Sequence, residues 1–192
     1  MSLIAGLFGK LPAHGDFVQR GWPQETVSAL DVWLTEGLAA ERADLDDDDA
    51  FAARMSAGPM WQGYLPPGTA GPLAVHLALA PSIDKAGRYF FLTSGVAGPA
   101  EAVWAQASQA PAFAASLETA MYNALASTLD AETMLARVAV AVHLPDARAE
   151  MLAGVALPSQ SAWWIDAPEP VLLRSERNDT TLLAQLLDGG TA

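Results

Sequence analysis

The sequence of 192 residues is 52% hydrophobic and 17% charged, which is typical of a globular domain and excludes a disordered low-complexity chain. Its formal net charge of −12 argues against nucleic acid and anionic membranes as partners, because so acidic a surface repels phosphate groups. The sequence contains no transmembrane run, no signal peptide and no cysteine, which excludes disulfides and thiolate catalysis. We therefore expect a cytoplasmic protein without membrane insertion.

The first third of the chain predicts a strand, a structured loop and two helices. The apolar segment 3–8 is typical of a strand, and a loop with two glycines follows it. Apolar residues recur at helical spacing over 27–41, which predicts a helix with Trp33 in the core. The acidic run 44–49 fails the calcium-loop pattern, because its sixth position is not glycine and its twelfth is not glutamate. We interpret it as the cap of a helix over 50–55.

Two apolar runs flank a polar connection in the middle of the chain. The runs 73–79 and 89–92 are rich in branched and aromatic side chains, and Pro81 and Gly87 interrupt the sequence between them. This pattern predicts a strand, a tight connection and a second strand. The connection contains four side chains that can do chemistry: Ser82, Asp84, Lys85 and Arg88.

The remaining chain predicts four helices and two strands. In order these are a helical region from about 100 to 126 that Pro111 divides in two, a helix capped by Asp130, strands at 161–165 and 171–174, and a closing helix at 181–187. The run 138–142 fits a helix or a strand equally well, and 145–158 stays ambiguous.

The alternation of strands and helices predicts an α/β fold whose sheet is covered by helices on both faces. The predicted hairpins favour a mixed sheet over a purely parallel one. Neither an internal repeat nor a linker is present, so we expect a single domain.

The histidines do not predict a metal site. His14, His76 and His143 are far apart in sequence, and none has a second histidine three or four residues away. His14 and Asp16 can form an acid–base pair, or each can bind backbone groups in their glycine-flanked loop. Ser82 lacks the G-x-S-x-G motif that positions a nucleophilic serine. We therefore predict no metal and no cofactor.

Asp84 and Arg88 permit two interpretations. The carboxylate can accept backbone N–H groups while the guanidinium four residues later binds it, which would lock the turn. If the same two side chains were exposed, they would instead be available to bind a partner through their charges. An alternative function also stays open, a hydrolase-like enzyme with a pocket built from His14, Asp16, Ser82 and Asp84.

Several blocks of the sequence together form a recognisable pattern: Phe8-Gly9-Lys10-Leu11-Pro12, Gly15-Asp16-Phe17-Val18 with Arg20, Leu30-Asp31-Val32-Trp33-Leu34, the run from Pro81 to Phe90 with Leu92-Thr93, Ser161 with Trp163-Trp164, and Leu186-Leu187-Asp188-Gly189. These blocks resemble the TagF family, accessory proteins of the bacterial type VI secretion system. They occur in the order expected for the family and span most of the chain.

The resemblance implies a non-enzymatic protein with a three-layer α/β/α sandwich, organised as one TagF-like domain over residues 1–192 without a fused phosphatase domain. TagF-like proteins are post-translational repressors of type VI secretion, and their implied partner is an Fha-type forkhead-associated scaffold protein rather than nucleic acid or a small-molecule substrate. We expect the 9–16 loop and the 82–88 turn to meet at one edge of the sheet. The candidate partner-binding or loop-organising residues are Lys10, His14, Asp16, Ser82, Asp84, Lys85 and Arg88.

Overall fold

Seven strands form one sheet in the computed structural model, which describes residues 3–45, 47–109, 111–126, 129–139, 152, 155–165 and 171–190. The strands are β1 (Ile4–Lys10), β2 (Phe17–Arg20), β3 (Trp61–Leu65), β4 (Ala74–Ile83), β5 (Tyr89–Gly98), β6 (Ser161–Ile165) and β7 (Val171–Ser175). Their order across the sheet is β2-β1-β5-β4-β3-β6-β7. The predicted central hairpin is confirmed, since β4 and β5 pair along their whole length.

All pairs of neighbouring described strands are antiparallel. The predicted α/β class is confirmed, but the prediction of a mixed sheet is wrong. Parallel neighbours arise when a single crossover, usually one helix, returns the chain to the same end of the sheet. In this chain four connections link paired strands directly, and the helices between the other strands come in groups of two or more. A strand, single helix and parallel strand in succession therefore do not occur among the described elements.

One face of the sheet is covered by α1 (Gln24–Ala43), α2 (Asp48–Ala57) and α6 (Thr180–Leu187). Trp33 of α1 is buried as predicted, and its indole N–H donates to the Asp179 carbonyl at 2.9 Å. The predicted acidic cap of α2 is also confirmed, because Asp47 Oδ1 accepts the Ala50 amide at 2.8 Å.

The opposite face is covered by α3 (Ala100–Gln109), α4 (Pro111–Ala126) and α5 (Ala131–Ala139). Leu117 and Met121 of α4 are fully buried and belong to the same core as Ala78 of β4. Asp130 caps α5 as predicted, because its Oδ1 accepts the Thr133 amide at 2.8 Å. Helices therefore cover both faces, and the three-layer arrangement is confirmed.

The sequence pattern does not predict β3, although this strand lies between β4 and β6 near the middle of the sheet. All five of its residues are buried, so the alternation of polar and apolar residues that marks a half-exposed strand is missing. Gly63 makes room for the next strand, since a Cβ there would lie 2.5 Å from the Trp163 ring. Five residues that include a glycine carry too little strand signal on their own.

The secondary structure of the segments 138–142 and 145–158 is not decided by the sequence pattern, and the structure describes only part of each. Helix α5 ends at Ala139 and so includes the first residues of the run 138–142. Residues 140–142, most of 145–158 and the connection 166–170 lie outside the described residues.

Candidate functional site

The loop after β1 and the turn between β4 and β5 meet at one end of the sheet, because β5 lies between β1 and β4. We call residues 9–16 and 82–88 together the loop–turn corner. The Lys85 amide donates to the His14 carbonyl at 2.9 Å, and the Arg88 guanidinium donates to the Gly15 carbonyl at 2.5 Å. The sequence prediction that these two segments lie together is confirmed.

Asp84 is the centre of this corner, and its side chain is fully buried. Its Oδ1 accepts the amides of Ala86 at 2.9 Å and Arg88 at 3.0 Å. Its Oδ2 accepts the Arg88 guanidinium Nε at 2.8 Å. The side chain thus satisfies the backbone of the turn and binds the cation four residues later, which is the turn-locking role predicted from the sequence.

Lys10 supplies a second, buried counter-charge from the end of β1. Its Nζ lies 3.2 Å from Asp84 Oδ2, and its side chain is only 7% exposed. The same Nζ lies 3.5 Å from the Arg88 carbonyl and 5.2 Å from the centroid of the Phe17 ring. The ion pair therefore joins β1 to the hairpin turn from inside the protein.

The pKa of Asp84 reflects these contacts. Burial by itself raises the pKa of the carboxyl group, but the Arg88 amide, the Lys10 ammonium, the Arg88 guanidinium and the Ala86 amide together lower it from 3.8 to about 2. The carboxylate is therefore charged at neutral pH, and its negative charge is balanced by the positive charges of Lys10 and Arg88.

The hydroxyl group of Ser82 also serves the corner. Ser82 is 6% exposed, and its Oγ donates to the Lys10 carbonyl at 2.7 Å. Its proton is thus directed at a backbone oxygen, whereas a nucleophilic serine would donate to a base. The observed contact fixes the end of β1 against β4.

His14 and Asp16 bind separate backbone groups. His14 Nε2 accepts the Ala131 amide at 3.2 Å, so this ring nitrogen is the deprotonated one and it satisfies the first turn of α5. Asp16 Oδ1 accepts the Phe17 amide at 3.2 Å in an exposed position. Of the two roles predicted for His14 and Asp16, the geometry supports the backbone-binding one, and it attaches the loop to α5.

Two glycines give the corner its backbone shape. Gly9 has a φ of +128°, and a Cβ at this position would lie 2.0 Å from the Phe91 carbonyl oxygen. Gly87 has a φ of +81°, which a turn between strands requires and which side chains with a Cβ rarely adopt. In contrast, a Cβ at Gly15 would meet nothing within 4 Å.

The sequence pattern assigns no functional role to Phe17, which lies on the surface of the corner in the structure. Its side chain is 47% exposed, and its ring stacks on Phe8 at 5.9 Å and meets Phe90 edge-on at 4.8 Å. Phe17 lies opposite Lys10 in the β1–β2 pair. The sequence alone does not reveal that Phe17 lies beside Lys10, because this requires knowledge of the register between β1 and β2.

A second polar cluster lies inside the sheet, away from the corner. His76 of β4 is fully buried, stacks on Trp164 at 5.6 Å, and its Nε2 lies 3.0 Å from Gln62 Oε1. Gln62 Nε2 in turn donates to Glu118 Oε1 at 3.2 Å. Burial lowers the pKa of His76 from 6.5 to about 3, so the imidazole is neutral at neutral pH.

The described residues hold no group of three or more histidine, aspartate or glutamate side chains placed to bind a metal ion. Within the same residues, no helix combines the length and hydropathy needed to cross a membrane. What the corner can do chemically is to present cations on a fixed backbone. Lys85 is exposed, and the Arg88 side chain is 56% exposed while Asp84 holds it in place.

Comparison with protein-family models identifies the class of protein to which this fold and this corner belong. The family model described as the TagF N-terminal domain, type VI secretion system-associated, matches residues 6–141, which include the whole corner. The chain belongs to this family, as its sequence blocks predict, and it is a type VI secretion system-associated protein.

A solved structure supports the same assignment. The chain is similar to PA0076 from Pseudomonas aeruginosa PAO1, with a TM-score of 0.80 and 25% sequence identity. The similarity covers 98% of this chain and 96% of that chain. None of the curated proteins compared with the chain matches it.

Proposed function

We propose that this chain is a cytoplasmic, post-translational repressor of type VI secretion, and that it acts by binding an Fha-type forkhead-associated scaffold protein of the secretion apparatus. The observation that carries the proposal is the family match over residues 6–141, which links the chain to the type VI system and includes the loop–turn corner. Repression by binding is what the family resemblance implies, and the corner is the surface to which we assign it.

The contacts of the candidate catalytic residues support binding over catalysis. A hydrolase built on this corner would need His14 close to a nucleophile or an attacking water. His14 instead accepts the Ala131 amide, and the Ser82 hydroxyl donates to a carbonyl. Asp84 is committed to Lys10 and to the turn. We therefore propose a non-enzymatic role that requires no cofactor and no small-molecule substrate.

The distribution of charge supports a protein partner. The chain carries 22 acidic and 10 basic residues, so its field as a whole repels nucleic acid and anionic lipid. At the corner, by contrast, Lys85 and Arg88 are exposed while the carboxylate of Asp84 is buried. A local cationic surface on an acidic protein favours a partner with a matching acidic patch.

Effector secretion by a strain that lacks the gene tests the proposal. Deletion should raise the amount of type VI effector in the culture medium, and the wild-type gene supplied in trans should lower it again. Lys85→Glu should fail to restore repression, whereas Lys85→Arg, which keeps the charge, should restore it. The two proteins should accumulate to equal levels, because residue 85 is exposed. Unchanged secretion in the deletion strain would refute the repressor role.

A further inference from the structure

A cavity of about 310 Å³ lies beside the last residues of β4. Strand β5 pairs with β4 up to Ile83, whereas β3 pairs only with Val75 to Leu79. Among the described strands, none covers residues 80–83 on the β3 side. The residues just before β3, Gly58 to Met60, line this cavity instead of pairing with β4, and we call the cavity the β4 groove. Its lining includes Pro59, Met60, Pro81, Ile83, Tyr89 and Tyr122.

The described residues that line the β4 groove are uncharged, most of them apolar or aromatic, and the groove suits an inserted side chain. Tyr122 stands on one wall with 59% of its surface exposed, and exposed aromatic rings of this kind are typical anchors in protein interfaces. Pro81 has no N–H group to donate, so a strand added to this edge would lose a backbone hydrogen bond. Insertion of a side chain does not need that bond.

The charges beside the β4 groove indicate what its occupant carries. Ile83 and Tyr89 line the groove and directly flank the turn on which Lys85 and Arg88 are exposed. In the loop–turn corner Lys10 and Asp84 are buried against each other, which leaves two exposed cations, Lys85 and Arg88, against one exposed carboxylate, Asp16. The surface next to the groove is therefore cationic in a chain whose net charge is −12. Charge complementarity favours acidic side chains on the partner at this point.

We propose that the β4 groove docks a short segment of a partner protein in which an apolar or aromatic anchor residue is flanked by aspartate or glutamate. The anchor fills the groove beside Tyr122, and the acidic residues lie against Lys85. This inference rests on the proposed function, because it assumes that the chain acts by binding a protein. It adds the location of the docking site and the chemistry of the segment that is recognised.

Selection from a phage-displayed library of random twelve-residue peptides tests the inference on the purified chain. The enriched peptides should share an apolar or aromatic residue with aspartate or glutamate close to it. Synthetic copies with a fluorescent label should bind in solution, with affinity that falls as salt is added. Failure to enrich any peptide over an albumin control would overturn the inference. Enrichment of peptides with basic flanks would overturn it as well.

Substitutions in the β4 groove show whether the selected peptides bind there. Tyr122→Glu should weaken peptide binding by about tenfold or more, and Ser56→Trp should weaken it by filling the groove. Lys85→Glu should weaken it by about fivefold at low salt. Val32→Glu is the matched control, because Val32 is 58% exposed and does not line the groove. Equal binding by Tyr122→Glu and Val32→Glu would overturn the inference.

The secretion assay separates failure of the groove from failure of the proposed function. If Tyr122→Glu represses secretion as well as Val32→Glu does in the complemented deletion strain, the groove is not the docking site, although the repressor role stands. If deletion of the gene leaves secretion unchanged, the repressor role fails and the docking inference that rests on it fails too. We expect Tyr122→Glu to lose repression while it accumulates to the same level as Val32→Glu.

Discussion

Replacement of Asp84 by asparagine removes one charge from the centre of the loop–turn corner and preserves its shape. Asparagine can still accept the Ala86 and Arg88 amides, so the loss falls mainly on the ion pair with Lys10, whose side chain is 7% exposed. Removing one partner of a buried pair typically costs about 3–5 kcal/mol. The lowering of the Asp84 pKa from 3.8 to about 2 corresponds to about 2 kcal/mol in favour of the charged form. We therefore expect Asp84→Asn to lower the free energy of unfolding by about 3 kcal/mol.

Urea titration followed by tryptophan fluorescence measures this loss. With a slope of about 2 kcal/mol per molar urea, the midpoint of Asp84→Asn should fall by about 1.5 M. Asp16→Asn, on an exposed carboxylate, should change the free energy of unfolding by less than about 0.5 kcal/mol. Lys10→Met added to Asp84→Asn should recover about 1 kcal/mol or more, because it removes the stranded cation. A loss below about 1 kcal/mol in Asp84→Asn, or a loss in the double variant equal to the sum of the two single losses, would show that Lys10 and Asp84 do not form a coupled buried pair.

Three further predictions concern the backbone and the histidines. Gly9→Ala should lower the free energy of unfolding by about 3 kcal/mol or more, because the new Cβ would lie 2.0 Å from a backbone oxygen. Gly15→Ala is the control and should change the free energy of unfolding by less than about 0.5 kcal/mol. Equal urea midpoints for the two variants would contradict this prediction. Because the pKa of His76 is lowered to about 3 in the folded protein and is 6.5 when unfolded, stability is full above pH 6.5 and falls as the pH drops below it, by about 2 kcal/mol at pH 5. Urea midpoints between pH 7 and pH 5 should show this slope, which His76→Phe should largely remove; an unchanged slope in the variant would argue against a neutral buried imidazole. His14→Ala should cost about 1 kcal/mol and speed amide exchange in the first turn of α5, because that turn loses its acceptor; unaltered exchange there would exclude the contact.

The local parts of the corner were predictable because their signals are short-range. Asp84 and Arg88 stand four residues apart, with Gly87 between them, and this spacing predicts a carboxylate that binds both the turn and the guanidinium. The caps at Asp47 and Asp130 were predictable for the same reason, since each carboxylate meets an amide three residues later.

The remaining parts depend on strand order, which short-range patterns do not encode. The contact between His14 and Ala131 joins residues 117 positions apart, and it exists only because α5 packs beside β1. The burial of Lys10 against Asp84 likewise requires β5 to lie between β1 and β4. The β4 groove exists because β3 is five residues long and β4 is ten, and β3 carries almost no strand signal of its own.

Calorimetric titration of the purified chain with the forkhead-associated scaffold protein of the same secretion apparatus measures the proposed docking itself. If the corner docks this scaffold protein, binding should be saturable, and Lys85→Glu should raise the Kd by about fivefold or more at low salt without moving the urea midpoint. Lys85→Arg should bind like the wild type. Absence of binding by the wild-type chain, or an equal Kd for Lys85→Glu and Lys85→Arg, would contradict the claim that the loop–turn corner is a docking surface.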